Sequence, residues 1–198
     1  MDEMVPLWLK LAYTLFVLVL VPVYWVKYKP ANFLWFSDIA LFAVCIALWT
    51  GSRLLVSMVA VGVLALEIFW NVDYFGSLIL GKPLFGLSFY MFDSSKSLFL
   101  RGLSLFHVAL PAIVIWLLLE WGYDTRAVYF QTILAWTVLP IVYLYTDPDE
   151  NINWVFGPGS KPQHRISRNL YFWLLMAFYP LVVFLPSHFI LKWLFNQP

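Results

Sequence analysis

The sequence has a single cysteine and few charged residues. The lone cysteine, Cys45, excludes a disulfide bond within the chain and any metal site built from several cysteines. Only 12% of the 198 residues are Asp, Glu, Lys or Arg, whereas soluble domains carry about 25%. The formal net charge of +1 excludes an extended basic surface of the kind that binds nucleic acid.

Apolar residues fill the space that charges leave. They make up 63% of the chain, and the mean hydropathy is +0.81. Because a membrane-spanning helix needs about 20 apolar residues, six spans with their loops account for the whole chain and leave no room for a soluble domain. The first span is expected to be retained, since no small-residue cleavage site follows it. The sequence therefore predicts one all-α transmembrane domain over residues 1–198, with six spans at about 6–26, 31–50, 54–75, 103–121, 127–145 and 170–195.

The basic residues predict how the spans are oriented. Eight lie in the loops after the first, third and fifth spans: Lys27, Lys29, Lys82, Lys96, Arg101, Lys161, Arg165 and Arg168. Four lie on the opposite side: Lys10, Arg53, Arg126 and Lys192. The positive-inside rule places the odd-numbered loops in the cytoplasm and both termini outside. The chain looks like a bacterial protein of the inner, cytoplasmic membrane.

Two predicted loops are unusual. Residues 76–102 are apolar and aromatic, yet glycine and proline interrupt them too often for a span. An interfacial or re-entrant segment between the third and fourth spans fits this pattern, and a short connecting helix at the interface fits it equally well. Residues 146–159 combine acids, amides and aromatics, which indicates a structured cap rather than a tether.

Ionisable and polar side chains within the predicted spans cluster toward one side of the membrane. Asp38 lies early in the second span, Glu67 and Asn71 lie late in the third, and His107 lies early in the fourth. If consecutive spans are antiparallel, these residues share one depth in the cytoplasmic half. Pro111, four residues after His107, removes the hydrogen bond to the His107 carbonyl. Ionisable groups in hydrocarbon are costly and usually functional.

A histidine beside a carboxylate predicts acid–base chemistry. In this interpretation His107 is a general base, Asp38 orients it, and Ser37 is the nucleophile. The proposed substrate-binding residues are Glu67, Asn71, Asn153 and Trp154. The predicted function is an intramembrane hydrolase or acyl transferase for a lipid or acyl ester, with membrane lipids as partners.

Three alternatives remain open at this stage. The buried acids and histidine could pass protons or bind a cation in a transporter. They could simply hold the helices together, in a non-catalytic membrane subunit or assembly factor. A metal site is less favoured because no paired-histidine spacing exists, and no metal or cofactor is predicted. The sequence does not decide whether copies of the chain associate.

Three segments resemble the androgen-induced family of six-span intramembrane hydrolases. They are residues 33–38 (FLWFSD), 107–111 (HVALP) and 153–156 (NWVF), in the order in which that family carries similar pieces. The resemblance implies six spans and cleavage of fatty-acid esters of hydroxy fatty acids, with a threonine and a histidine. His107 and Asp38 carry over. The family's threonine position reads Trp35 here, and Ser37 is the nearest hydroxyl.

Overall fold

The computed structural model describes residues 5–159 and 161–195, which form six helices and no strands. The acidic residues 1–4 lie outside the described part. The prediction of an all-α fold is confirmed. The helices, numbered here in chain order, are α1 (Leu7–Tyr28), α2 (Phe36–Thr50), α3 (Arg53–Leu80), α4 (Leu98–Trp121), α5 (Ala127–Tyr145) and α6 (Arg168–Phe195).

Five of these helices are long and apolar enough to cross a membrane, and α2 is the exception. The prediction placed the second span at 31–50, but Pro30–Leu34 forms a separate 3₁₀ turn and α2 has only 15 residues. That length corresponds to about 22 Å, whereas the hydrocarbon core is roughly 30 Å thick. The five long apolar helices nevertheless indicate an integral membrane protein.

Helix α3 extends beyond its predicted end at residue 75. Gly81 terminates it in the left-handed conformation (φ 65°), and the Ser77 hydroxyl accepts a hydrogen bond from the Leu84 amide at 3.1 Å. Gly76 permits the next segment to fold back, because a Cβ at this position would lie 2.9 Å from the Leu84 side chain. The irregular segment between α3 and α4 is therefore shorter than predicted and is anchored to the end of α3.

Two of the long helices contain wide π-type turns. In α6 the turn spans Tyr179–Phe184, where Pro180 has no amide hydrogen for the α-helical pattern. In α3 it spans Ala60–Leu64. The Gln131 side chain of α5 lies against Gly62 there, and any Cβ at that position would collide with it. Such turns are common near functional positions, and this one precedes Glu67 on the same helix.

Neighbouring helices run antiparallel. The α1–α2, α3–α4 and α5–α6 loops therefore lie together at one end of the bundle. The Tyr13 hydroxyl donates to the Leu41 carbonyl at 3.1 Å, which pairs α1 with α2. The Lys96 ammonium lies 5.4 Å from the Tyr28 ring, so the α3–α4 loop meets the end of α1. The Phe36 amide donates to Asn153 at 2.9 Å, so the α5–α6 loop meets the start of α2. Loop residues 29–35, 81–97, 146–159 and 161–167 together form the site end of the bundle.

At the opposite end of the bundle, Asp124 in the α4–α5 loop connects that loop to α3. Its amide donates to the buried Ser57 hydroxyl at 2.9 Å, and its carboxylate accepts two hydrogen bonds from the Arg126 guanidinium at 2.8 and 3.1 Å. The hydrogen-bonded Arg126 guanidinium holds the pKa of Asp124 below its ordinary value of 3.8. A carboxyl whose pKa is lower in the folded state stabilises that state above its unfolded pKa, and the stabilisation is lost as the pH falls.

The variant Asp124→Asn should therefore unfold at a lower temperature than the parent at neutral pH. The difference between the two should narrow as the pH is lowered through about 4 toward 3, because the parent carboxyl then becomes protonated. Thermal unfolding in detergent measures this. Thr125→Ala, at the exposed neighbouring position, should show no pH-dependent difference. A gap for Asp124→Asn that stays constant from neutral pH to about pH 3 would contradict the assignment.

Candidate functional site

The site is built around a histidine and a glutamate on adjacent helices. His107 Nδ1 lies 2.8 Å from Glu67 Oε2, with side chains 14% and 5% exposed. Glu67 is on α3, and His107 comes just after a turn at residues 104–105 that interrupts α4. The sequence had placed both residues at one depth, and the structure brings them into contact. The carboxylate that touches His107 is therefore that of Glu67, whereas the sequence interpretation gave this role to Asp38.

Asn71 fastens this pair through the backbone. Its side-chain amide donates to the Glu67 carbonyl at 2.8 Å and to the His107 carbonyl at 2.7 Å. The His107 carbonyl is available because Pro111 has no amide hydrogen to give it. A buried carbonyl without a partner is costly. The Asn71 amide supplies the hydrogen bond that Pro111 cannot give to the His107 carbonyl. The two hydrogen bonds of Asn71 hold α4 against α3 at the level of His107.

Aromatic rings enclose the imidazole. The Trp70 ring stacks on the His107 ring, with centroids 4.7 Å apart. The ring of the adjacent residue, Phe106, also stacks on it, with centroids 4.1 Å apart. The Trp70 indole nitrogen is buried near the Tyr90 hydroxyl, and among the described residues it forms no hydrogen bond. Packing thus sets the plane of the imidazole, and Glu67 occupies Nδ1. No hydrogen bond to Nε2 is present in the described part of the chain.

Asp38 is a second buried acid beside the pair. Asp38 is only 3% exposed. Its Oδ2 accepts one long hydrogen bond, at 3.4 Å, from the Asn32 side-chain amide. Its Oδ1 is buried and has no hydrogen-bond partner among residues 5–159 and 161–195. The carboxyl groups of Asp38 and Glu67 are close enough to repel each other. No hydrogen bond joins Asp38 to His107 within residues 5–159. An unpaired carboxyl oxygen in this position is costly unless it holds a proton.

The remaining predicted residues lie around the start of α2. Asn153 adopts a left-handed backbone (φ 51°), accepts from the Phe36 amide and donates to the Leu34 carbonyl at 2.8 Å. It is buried and acts as a clamp on the segment that carries Asp38. Trp154, which follows it, is held through its carbonyl by the Tyr171 hydroxyl at 3.0 Å. Ser37 is half-buried, and within the described residues its hydroxyl makes no hydrogen bond with His107.

Hydroxyl groups that the sequence interpretation overlooked line the same region. The Tyr24 hydroxyl and Ser104 Oγ are 2.9 Å apart and both residues are buried. Tyr90, from the loop, approaches the same serine. Burial raises the pKa of the Tyr90 hydroxyl above 10.0, so it remains a neutral donor. Ser104 precedes His107 by only three residues, so a hydroxyl near the histidine was a readable signal in the sequence.

Asp73 was also overlooked and organises the loop that covers the site. Its carboxylate accepts hydrogen bonds from the amides of Phe85, Gly86 and Ser88, and from the Ser88 hydroxyl, at distances of 2.5–3.1 Å. Asp73 itself is fully buried. It followed Glu67 by six residues within a predicted span, so an intramembrane acid was visible in the sequence. Its partners were not, because they come from an irregular loop.

Comparison of the chain with models of protein families, with characterised proteins and with solved structures finds no significant match. Within residues 5–159 and 161–195, no three His, Cys, Asp or Glu side chains form a group that could hold a metal ion. An imidazole that a carboxylate holds through one nitrogen can accept and return a proton at the other.

The variant Asp73→Ala should release the loop at residues 81–97. Removing a carboxylate that binds three amides and a hydroxyl leaves those donors unpaired, and we expect the free energy of local opening to fall by roughly 3 kcal/mol. Limited chymotrypsin digestion of the folded protein should then cleave this loop faster. Asp93→Ala is the matched control, since Asp93 accepts hydrogen bonds from Ser95 at the loop surface. Equal cleavage of both variants would contradict the anchoring role.

Proposed function

We propose that this protein is an integral membrane enzyme that hydrolyses, or transfers the acyl group of, a lipid or acyl ester. The observation that carries the proposal is the 2.8 Å contact between His107 and Glu67, with Asn71 bonded to the backbone of both. Glu67 fixes the imidazole with hydrogen on Nδ1 and the lone pair on Nε2. This pairing replaces Asp38 with Glu67 as the orienting carboxylate.

The reaction would begin with a proton transfer to His107. Nε2 takes the proton of a water molecule as its oxygen attacks the ester carbonyl carbon, and the tetrahedral intermediate then expels the alkoxide. Nε2 returns the proton to that alkoxide, so the histidine ends unchanged. Glu67 stabilises the imidazolium throughout. Water is the simplest nucleophile because Ser37 is not bonded to His107, and Ser37 belongs to the proposal as the acceptor of an acyl group in transfer.

The membrane arrangement is part of the proposal. We place α2 in the bilayer as a sixth, short span, completed by the turn at Pro30–Leu34, with the site end in the cytoplasm and both termini outside. The segment between α3 and α4 would lie at the interface and admit lipid. The exposed apolar side chains of this segment, Leu84, Phe85, Phe89 and Phe92, support this placement, as do Leu98 and Phe99 at the start of α4. The resemblance of three segments to the androgen-induced family supports the six-span arrangement more than the activity, and the bacterial inner membrane is the proposed location.

Substitution of the histidine tests the activity. His107→Gln should lower kcat for hydrolysis of a fluorogenic acyl ester by roughly 10²- to 10⁴-fold, because the general base is lost. His164→Gln removes an exposed histidine from the α5–α6 loop and should leave the rate unchanged. Both variants should keep the parent's elution profile in detergent. Unaltered turnover by folded His107→Gln would eliminate the mechanism.

Substitution of the glutamate separates orientation from proton transfer. Glu67→Gln keeps the shape of the side chain but removes the charge that stabilises the imidazolium. Such charge-assisted hydrogen bonds are worth about 1.5–3 kcal/mol, so kcat should fall roughly 10- to 100-fold with little change in KM. The pH–rate profile should also change. A variant with the parent's profile and rate would show that Glu67 has only a structural role.

Proton transfer is a second candidate function, favoured by Asp38, which interacts with Glu67 and whose Oδ1 has no hydrogen-bond partner among the described residues. Two neighbouring buried carboxyls can hold one proton between them and pass it on. Protein in vesicles under a pH gradient would then acidify the interior, and Asp38→Asn would abolish that flux. Ser37→Ala is the adjacent control. Flux equal to that of empty vesicles would remove this candidate and leave the enzymatic one.

A further inference from the structure

A cleft of about 320 Å³ opens at the site end, beside the end of α1. Its wall combines two cations, one anion, an amide and aromatic rings. The residues that bear on its chemistry are Lys27, Tyr28, Lys29, Asn32, Trp35 and Glu150. None of them belongs to the histidine–glutamate pair, and the sequence interpretation assigned none of them to a site.

The two lysines give the cleft a positive pole. Both are exposed, and within the described residues neither forms an ion pair. Lys29 has a left-handed backbone (φ 67°), so the chain turns sharply at the rim and returns Asn32 toward the interior. Asn32 keeps an amide hydrogen available, since its one side-chain bond to Asp38 is long at 3.4 Å. Two ammonium groups and an amide donor suit a phosphate.

Glu150 gives the same cleft a negative pole. It ends a 3₁₀ turn, Pro148–Glu150, that is capped by the Asp147 side chain, so its position is fixed by the backbone. A site built for phosphate alone gains nothing from a carboxylate. An ammonium group does, and the rings of Tyr28 and Trp35 add faces on which a cation is favourably placed.

The apolar surroundings point to a lipid rather than a soluble molecule. Trp25 and Val26, on the last turn of α1, are 57% and 77% exposed, and the Trp25 ring packs near Phe33. Acyl chains of a molecule whose headgroup sits in the cleft could lie along this surface. A tryptophan at such a level is typical of the boundary between headgroups and hydrocarbon.

We infer that the cleft binds the headgroup of an aminophospholipid, with its phosphate at Lys27 and Lys29 and its ammonium at Glu150. The inference goes beyond the proposed activity and does not depend on it, because binding at the cleft can occur with or without turnover at His107. It names a lipid class by its two charges, and it predicts selection of that class over phospholipids that lack an amine.

Native mass spectrometry of the full chain tests the inference. The protein is exchanged into detergent with equal amounts of phosphatidylethanolamine and phosphatidylglycerol that carry the same acyl chains. The parent should retain phosphatidylethanolamine preferentially. Lys27→Gln/Lys29→Gln should lower retention of both lipids by roughly fivefold, the size expected when exposed ion pairs are lost. Lys161→Gln/Arg165→Gln removes equal charge from the same end, outside the cleft, and should change neither.

Substitution of the Glu150 carboxylate tests the selectivity more directly. Glu150→Gln should lower retention of phosphatidylethanolamine and raise that of phosphatidylglycerol, which reverses the preference. Soluble phosphoethanolamine added in excess should compete poorly if a lipid is the ligand, and its full competition would identify a soluble ligand instead and overturn the inference. Equal retention of both lipids by the parent, or an unchanged preference in Glu150→Gln, would also overturn it.

Discussion

The hydrogen bond between His107 and Glu67 is the interaction on which the site depends. In hydrocarbon neither group can be left alone, because an unpaired carboxylate or imidazolium is costly there. Each is satisfied by the other, and Asn71 ties the carbonyls of the same two residues together. The pair therefore joins α3 to α4, and in the described part of the chain Nε2 of the imidazole makes no hydrogen bond. One contact serves both the packing and the proposed chemistry.

Irregular backbone on both sides of His107 allows this contact to form. Pro111 frees the carbonyl that Asn71 binds, and the turn at residues 104–105 sets the start of α4 beside the end of α3. The loop that follows α3 is held by a buried carboxylate, Asp73, rather than by regular secondary structure. Irregular chain is tolerated near a membrane where protein covers it, and here side chains supply the partners that a helix would have supplied.

Much of the fold and part of the site could be predicted from the sequence. Long apolar stretches reveal helices directly, since hydropathy and the length needed to span the bilayer give the same answer. Equal depth of Glu67, Asn71 and His107 followed from antiparallel threading, and the structure joins all three. The choice of partner was not predictable, because Asp38 and Glu67 share a depth and only the order of helices around the bundle decides which reaches the histidine.

The shortness of α2 and the role of Asn153 were hidden for a related reason. The stretch at 31–50 is apolar throughout, but its first residues form a separate turn because Asn153, more than 100 positions later, binds the Leu34 carbonyl and the Phe36 amide. Contacts between irregular segments leave no periodic trace in a sequence. The same holds for the loop around Asp73 and for the cleft at Lys27, Lys29 and Glu150.

The tautomer of His107 is the most direct test of the account. Nitrogen-15 NMR of histidine-labelled protein, assigned with His107→Gln, distinguishes hydrogen on Nδ1 from hydrogen on Nε2. The account predicts that neutral His107 carries its hydrogen on Nδ1, toward Glu67, and that Glu67→Ala shifts this signal while those of His164 and His188 stay in place. Neutral His107 with hydrogen on Nε2, or a signal that ignores loss of Glu67, would contradict it.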